Sequence, residues 1–177
     1  MIRKAADFLM RNGPATGQDR WEEIGGYVPS TIAAEIAGLR AASVILGDTS
    51  ITQVADRWQA RLETWTLVPE SGLGKNYYLR ASLNGNPSSF EEINLANGAG
   101  SARAPEILDG GFLDLVRMHV RSAQDPRILS TLEAYERDSL NIATQSSNFP
   151  GARHYRRYNR DAYGPYRVGG YWPLLAG

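Results

Sequence analysis

The chain has 177 residues, of which 42% are hydrophobic and 21% charged, a composition typical of one globular domain. Its 19 basic side chains are balanced by 19 acidic ones, so no positive surplus is available for phosphates and we expect no nucleic-acid partner. The absence of cysteine excludes a disulfide framework and a thiolate metal site, and two histidines are too few for a His-rich centre, so we expect no metal and no cofactor. No stretch approaches the ~18 consecutive apolar residues of a membrane span, so we expect no membrane partner.

Apolar residues at helical spacing predict three helices in the first part of the chain. The first covers residues 2–12 and is amphipathic, without the uninterrupted apolar core of a signal peptide. The second begins at Pro29-Ser30, with Ser30 as its N-cap, and closes at Gly47. The third runs from about residue 50 to residue 65.

The middle of the chain changes character over residues 67–105, where glycine and asparagine interrupt the pattern. A short strand is predicted over Tyr77–Leu83, with Asn84-Gly85 as a hairpin turn. Helices resume at about 109–120 and 125–141, and Asp125 followed by proline is typical of a helix start.

Long polar loops at residues 13–29, 67–105 and 142–170 alternate with short connections. In a helical toroid this alternation places the long loops at one end of the barrel. Loops carried on a rigid scaffold are where functional sites usually lie.

The loop at residues 17–23 places three carboxylates, a guanidinium and an indole next to one another. Cleavage of a glycosidic bond needs an acid that protonates the leaving oxygen. A carboxyl beside other carboxylates and an aromatic wall keeps its proton longer, because desolvation and like charge raise its pKa. Trp21 offers a flat apolar face to a sugar ring, and Asp19 and Glu23 can accept hydrogen bonds from hydroxyls. Taken alone, such a run is more typical of a solvated loop or a helix start than of a catalytic site.

Residues 11–23, followed by 26–37, closely resemble bacterial members of glycoside hydrolase family 15, which contains glucoamylases and glucodextranases. The resemblance continues in order over nearly the whole chain, and the Trp-Glu-Glu loop is its most specific part. The further matching blocks are Trp58-Gln59, Gly85–Pro87, Asn94–Gly98, Asp109–Arg117, Asp125–Leu129, Arg157–Gly164 and Trp172–Leu175.

The resemblance implies an all-α (α/α)6 toroid, with residues 1–177 as a partial catalytic domain that forms about its C-terminal half and carries a short β-hairpin in a long loop. It implies glucan 1,4-α-glucosidase chemistry: inverting hydrolysis of terminal α-glucosidic bonds in starch- or dextran-type glucans. The expected partner is therefore an α-glucan oligosaccharide or polysaccharide. Family members are often secreted or periplasmic. An incomplete barrel leaves apolar helix faces uncovered, so self-association is expected of the chain alone.

The same resemblance assigns roles to individual residues. Glu22, the first Glu after the Trp, corresponds to the general acid. The implied substrate-binding residues are Asp19 at the innermost glucose subsite, Trp21 in the pocket wall, Glu23 on sugar hydroxyls and Arg103, whose spacing to the next block differs from the family pattern.

Two departures leave an alternative open. The chain is shorter than the family's catalytic domain, and Pro165 follows Tyr163-Gly164 where the resemblance implies the general base, a Glu. Asp161 is the nearest carboxylate, although its position is more typical of a structural loop residue. The alternative hypothesis is a catalytically inactive α-glucan-binding remnant, or an incomplete fragment that lacks the base. Both α-1,4 and α-1,6 bonds remain open as substrates.

Overall fold

The computed structural model describes residues 1–96, 99–137, 143–145, 151 and 153–163. Helices dominate this part of the chain, and three separate antiparallel strand pairs lie between or after them. The helices are α1 (Ile2–Asn12), α2 (Pro29–Leu46), α3 (Thr49–Thr66), α4 (Asp114–Arg117) and α5 (Pro126–Tyr135). The strand pairs are β1 (Leu67–Ser71) with β2 (Gly74–Tyr78), β3 (Glu92–Leu95) with β4 (Gly100–Arg103), and β5 (Ala143–Gln145) with β6 (Arg153–Tyr155).

The first three helices are those predicted from the spacing of apolar residues, but the N-cap predicted for α2 is wrong. Extended Val28 is the N-cap, and Ser30 lies buried inside the first turn. Proline at the first helical position, with its fixed φ, starts the helix two residues earlier than an N-cap at Ser30 would. Gly47 ends α2 in the left-handed region at φ 64°, as predicted.

The hairpin turn predicted at Asn84-Gly85 is also wrong. β1 follows α3 directly and pairs with β2 across a tight turn, in which Ser71 is opposite Gly74. Gly85 instead adopts φ +76° beside aromatic rings, where a Cβ would lie 3.0 Å from Tyr27 and 3.2 Å from Trp65. Glycine is needed there for close approach and a left-handed backbone, which is a different use of the same residue.

The two C-terminal helices are shorter than predicted. A 3-10 turn at Gly110–Leu113 precedes α4, since two adjacent glycines weaken a regular α-helix at its start. α5 begins as predicted, with the Asp125 side chain accepting a hydrogen bond from the Arg127 backbone N–H. It ends at Tyr135, and residues 138–141 of the predicted helix lie outside the described residues.

The core consists of two clusters. The larger joins the inner faces of α2 and α3 to β1, β2, α4 and α5, and includes Ile32, Ile36, Leu39, Leu62 and Tyr135. In the described part of the chain, α2 is the helix long and apolar enough to cross a membrane, and its apolar character is explained by its share of this core. The smaller cluster includes Ile24, Val28, Ala81, Ile93, Ile107 and Tyr158. It ties the loop after α1 to the loops around β3 and β4 and to the residues after β6.

Candidate functional site

The loop between α1 and α2 carries the predicted acid and is closed at its neck. Thr16 and Gly26 exchange two backbone hydrogen bonds of 3.1 and 2.8 Å, and Tyr27 does the same with Ser82. Gly26 has φ +112°, and a Cβ there would lie 2.5 Å from the Ser82 carbonyl oxygen. The two pairs of bonds hold residues 17–25, which we call the acid loop, against the segment that follows β2.

Asp19 fixes the turn of the acid loop from within. Its Oδ1 accepts hydrogen bonds from the backbone N–H groups of Trp21 (3.0 Å) and Glu23 (3.1 Å), and its carbonyl accepts one from Glu22 at 3.0 Å. The residue is 6% exposed. A short polar side chain that satisfies its own neighbouring backbone holds a loop in one conformation. The directions of Trp21 and Glu22 are therefore set by Asp19.

Arg80 lies buried beneath the acid loop, among three carboxylates. Its Nη2 donates to Asp19 Oδ2 (2.8 Å) and Glu23 Oε2 (2.7 Å), and its Nε lies 3.7 Å from Asp109 Oδ2. Burial lowers the pKa of Arg80, but the negative charges of Asp109 and Asp19 outweigh it and the net shift of the pKa is upward. The guanidinium supplies the positive charge that these three carboxylates share. Among the described residues, no group of three or more His, Cys, Asp or Glu side chains could hold a metal ion.

Arg157 neutralises the second oxygen of Glu23. Its Nη2 lies 2.9 Å from Glu23 Oε1, and its guanidinium donates to both oxygens of Asp161 at 2.8 and 2.7 Å. The Tyr158 hydroxyl donates to Glu23 Oε2 at 2.8 Å, and the ring of Tyr158 lies under the Arg80 guanidinium at 3.7 Å. Both carboxylate oxygens of Glu23 thus have protein partners, which turn this side chain inward.

Trp21 is anchored by its indole N–H. The Nε1 atom donates to Asp109 Oδ2 at 3.0 Å, a contact between residues 88 positions apart. Burial raises the pKa of Asp109, while the charge of Arg80 opposes this shift. The guanidinium carbons of Arg20 and Arg157 lie 4.6 and 5.0 Å from the indole centroid. The indole is therefore oriented both by its own loop, through Asp19 and Arg20, and from outside it, through Asp109 and Arg157.

Glu22 differs from its acidic neighbours, because its side chain is exposed. It has a left-handed backbone with φ 59°, and within the described residues it makes no hydrogen bond or ion pair through its carboxylate. The sequence predicts a desolvated setting for Glu22, and this prediction is wrong. Asp19 and Glu23 turn toward two arginines and do not crowd Glu22. A non-glycine residue in the left-handed region costs on the order of 1 kcal/mol and persists where its surroundings enforce it. Here the Asp19 hydrogen bonds on either side enforce it.

Arg103 does not join the contacts described for the acid loop. It lies exposed at the end of β4, where its guanidinium carbon is 5.2 Å from the ring centroid of Phe90.

The charged contacts beneath the acid loop come from Arg80 and Arg157. Sequence reasoning missed Arg80, although a charged residue inside the apolar run Tyr77–Leu83 is a signal that buried carboxylates must lie opposite.

Asp161, the carboxylate nearest to the expected general base, is 2% exposed and bonded to Arg157 and to the Tyr163 backbone N–H. These contacts favour its reading as a structural loop residue. Pro165, which occupies the expected base position, lies outside the described residues.

Comparisons with known proteins agree with this architecture. The chain matches Glycosyl hydrolases family 15 over residues 1–174. It is 37% identical over 194 aligned positions to a glucoamylase from Clostridium sp. (strain G0005), an alignment that covers 100% of this chain and 27% of that protein. It superposes with a TM-score of 0.85 on a bacterial glucoamylase crystallised with acarbose, at 40% identity, covering 96% of this chain and 26% of that one.

The chain thus spans about a quarter of the length of these relatives. The match extends over nearly all of its own residues, and the mostly helical fold with a few short strands is that of the glucoamylase. This chain belongs to glycosyl hydrolase family 15.

Proposed function

We propose that this chain carries the general-acid loop of a glucoamylase-type glycosidase, which hydrolyses terminal α-glucosidic bonds of starch- or dextran-type glucans with inversion. The observation that carries the proposal is the outward-facing Glu22 on a loop that Asp19 and Arg80 lock from beneath. The family supports it, as does the solved glucoamylase, whose bound acarbose is an oligosaccharide.

In this mechanism Glu22 donates its proton to the bridging oxygen of the terminal bond as the bond from that oxygen to the anomeric carbon breaks. A water molecule attacks the opposite face of the glucose ring and gives a proton to a second carboxylate, the general base. The products are the shortened glucan and glucose of inverted configuration. Because Glu22 is exposed, its carboxyl can reach the bridging oxygen of a bound substrate.

The other residues of the acid loop would shape the pocket. We propose Trp21 as the wall against which the terminal glucose lies. Asp19 and Glu23 lie beneath the innermost glucose subsite, with their carboxylates turned inward. Because Asp19 and Glu23 already hold backbone groups and arginines, they also keep the loop in position. Preorganisation of this kind lowers the reorganisation needed in the transition state.

The test is the substitution Glu22→Gln in the longest natural polypeptide that contains this sequence, with glucose release from maltotetraose as the readout. Glutamine keeps the shape of the side chain and cannot donate a carboxylic proton, so kcat should fall about 10²- to 10⁴-fold. Glu92→Gln, an exposed carboxyl on β3, is the matched control and should leave kcat unchanged. Undiminished glucose release by Glu22→Gln contradicts the assignment.

A second candidate is an inactive glucan-binding remnant. Two observations favour it: Asp161 is engaged by Arg157, and the alignment with the Clostridium glucoamylase is longer than this chain, so the relative has residues that this chain lacks. Under this hypothesis calorimetry detects acarbose binding that Trp21→Ala weakens, while no glucose is released from maltotetraose. Measurable hydrolysis eliminates it.

A further inference from the structure

A cleft of about 650 Å³ opens beside the β1–β2 turn, and no described residue of the acid loop lines it. Its walls are the β1–β2 turn, the segment 88–90, the end of β4 with the 3-10 turn after it, and residues 159–160. Its volume lies within the range of roughly 300–1,000 Å³ typical of small-ligand sites. The proposed hydrolysis makes no use of this cleft.

An aromatic ring with a guanidinium over it forms one wall. Phe90 is 79% exposed, and the Arg103 guanidinium carbon lies 5.2 Å from its ring centroid. Among the described residues Arg103 has no carboxylate partner, so its hydrogen-bond donors face solvent. Phe90 therefore presents an open apolar ring face next to hydrogen-bond donors that a ligand can reach.

The charged groups around the cleft balance in sign. Glu106 and Arg160 lie 3.8 Å apart and are about half exposed, while Glu70 pairs with Lys75 at 3.0 Å. An anionic ligand would meet Glu70 and Glu106, and a cationic one would meet Arg103 and Arg160. Carboxylates and guanidinium groups with free donors and acceptors instead suit a neutral ligand with many hydroxyl groups.

We propose that this cleft is a second sugar site, which binds two or three consecutive units of an α-glucan without cleaving it. The apolar face of one glucose ring lies on Phe90, and adjacent hydroxyls accept from Arg103 and donate to Glu106. The choice of an α-glucan rests on the proposed function, because the neutral, hydroxyl-rich chemistry of the cleft matches the substrate of the acid loop. Such a site would hold the glucan close to the enzyme between cleavage events.

The test follows two sites separately in the intact chain. Labelling with 4-fluorophenylalanine gives a ¹⁹F resonance for Phe90, and labelling with 5-fluorotryptophan gives one for Trp21. Each resonance is assigned by its loss in the variant in which that residue is replaced. Both resonances are then followed in a titration with maltotriose. We expect a saturable shift of the Phe90 resonance, and we expect Arg103→Lys, which keeps the charge but not the planar fork, to weaken it about tenfold.

Phe8→Ala is the matched control for Phe90→Ala, since Phe8 is 61% exposed on α1 and does not line the cleft. In the Trp21→Ala variant, maltotriose should still bind at the cleft. Adding Phe90→Ala to this variant should abolish that binding, and adding Phe8→Ala should not. A Phe90 resonance that stays fixed while the Trp21 resonance shifts overturns the second site and leaves the acid-loop proposal standing. A Phe90 response to an oligoglucuronate but not to maltotriose also overturns it.

Discussion

Arg80 is buried with three carboxylates around it, and we expect its removal to be costly. Arg80→Met keeps the length and apolar stem but leaves Asp19, Glu23 and Asp109 without their shared cation. Breaking a buried ion pair in this way typically costs about 3–5 kcal/mol of the free energy of unfolding. Urea denaturation of the variant measures the loss.

The control for Arg80 is Arg40→Met, which breaks an exposed pair with Asp56 on the neighbouring helix. Exposed pairs contribute roughly 0–1 kcal/mol. Equal losses of stability in the two variants would show that Arg80 has no special role beneath the acid loop.

Glu35 gives the protein a pH-dependent stability of its own. It is 7% exposed, its Oε2 has no hydrogen-bond partner among the described residues, and burial raises its pKa to about 7. An unfolded glutamate has a pKa of 4.5, so between pH 4.5 and about 7 the folded state holds a proton that the unfolded state has released. Stability therefore falls as pH rises through this window, by about 3 kcal/mol in total, and falls no further above it.

Glu35→Gln should remove this slope, so that the variant gains stability relative to the parent between pH 5 and pH 8. Glu133→Gln, an exposed carboxyl on α5, is the control and should keep the parent's pH profile. Urea unfolding at the two pH values measures both. A Glu35→Gln variant with the same slope as the parent contradicts a buried, protonated Glu35.

The sequence indicates the acid loop but not its support. Asp19, Trp21, Glu22 and Glu23 are neighbours in the chain, so their common loop can be read from a short run. The groups that hold them lie 57 residues away for Arg80, 88 for Asp109 and 135 for Tyr158. Without a fold to bring them together, no spacing rule predicts such contacts, and this is why Glu22 was expected to be more enclosed than it is.

At the scale of elements, local signals explain which predictions were confirmed. Asp125 followed by proline, and Gly47 after an apolar helix, act within one turn of the backbone and were predicted correctly. The Asn84-Gly85 turn was predicted from an equally strong local signal. It was wrong because the rings of Tyr27 and Trp65 need a glycine beside them, which is a tertiary requirement.

Gly47 tests the left-handed end of α2. No atom lies within 4 Å of a Cβ added there, so Gly47→Ala meets only the backbone strain of φ +64°. We expect a loss of about 1 kcal/mol of unfolding free energy. Gly72→Ala also adds a Cβ in open space, but at a position without that strain, and it should change stability less. A neutral Gly47→Ala variant would contradict the left-handed cap.

At the scale of the whole molecule, the chain spans about a quarter of its relatives and exposes apolar side chains on its first two helices. Phe8 is 61% exposed on α1, and Val44 and Ile45 are 83% and 64% exposed at the end of α2. We therefore expect the isolated chain to self-associate, with a weight-average mass that rises with concentration in sedimentation equilibrium.

Replacing both Val44 and Ile45 by lysine should shift the isolated chain toward monomer, because it places two charges in the apolar surface. Leu129→Lys, at an exposed leucine on α5, is the control and should leave the association unchanged. A monodisperse, cooperatively unfolding monomer of the unmodified chain would contradict an uncovered helix face.

The central claim is that Glu22 protonates the leaving oxygen, and the most direct measurement compares two substrates in Glu22→Gln and its parent. Maltotetraose has a poor leaving group that needs the proton, whereas α-glucosyl fluoride releases fluoride without one. We predict that the variant, in the longest natural polypeptide containing this sequence, loses about 10²- to 10⁴-fold in kcat on maltotetraose but stays within about tenfold of its parent on the fluoride. Equal losses on both substrates, or undiminished maltotetraose hydrolysis, would contradict the assignment.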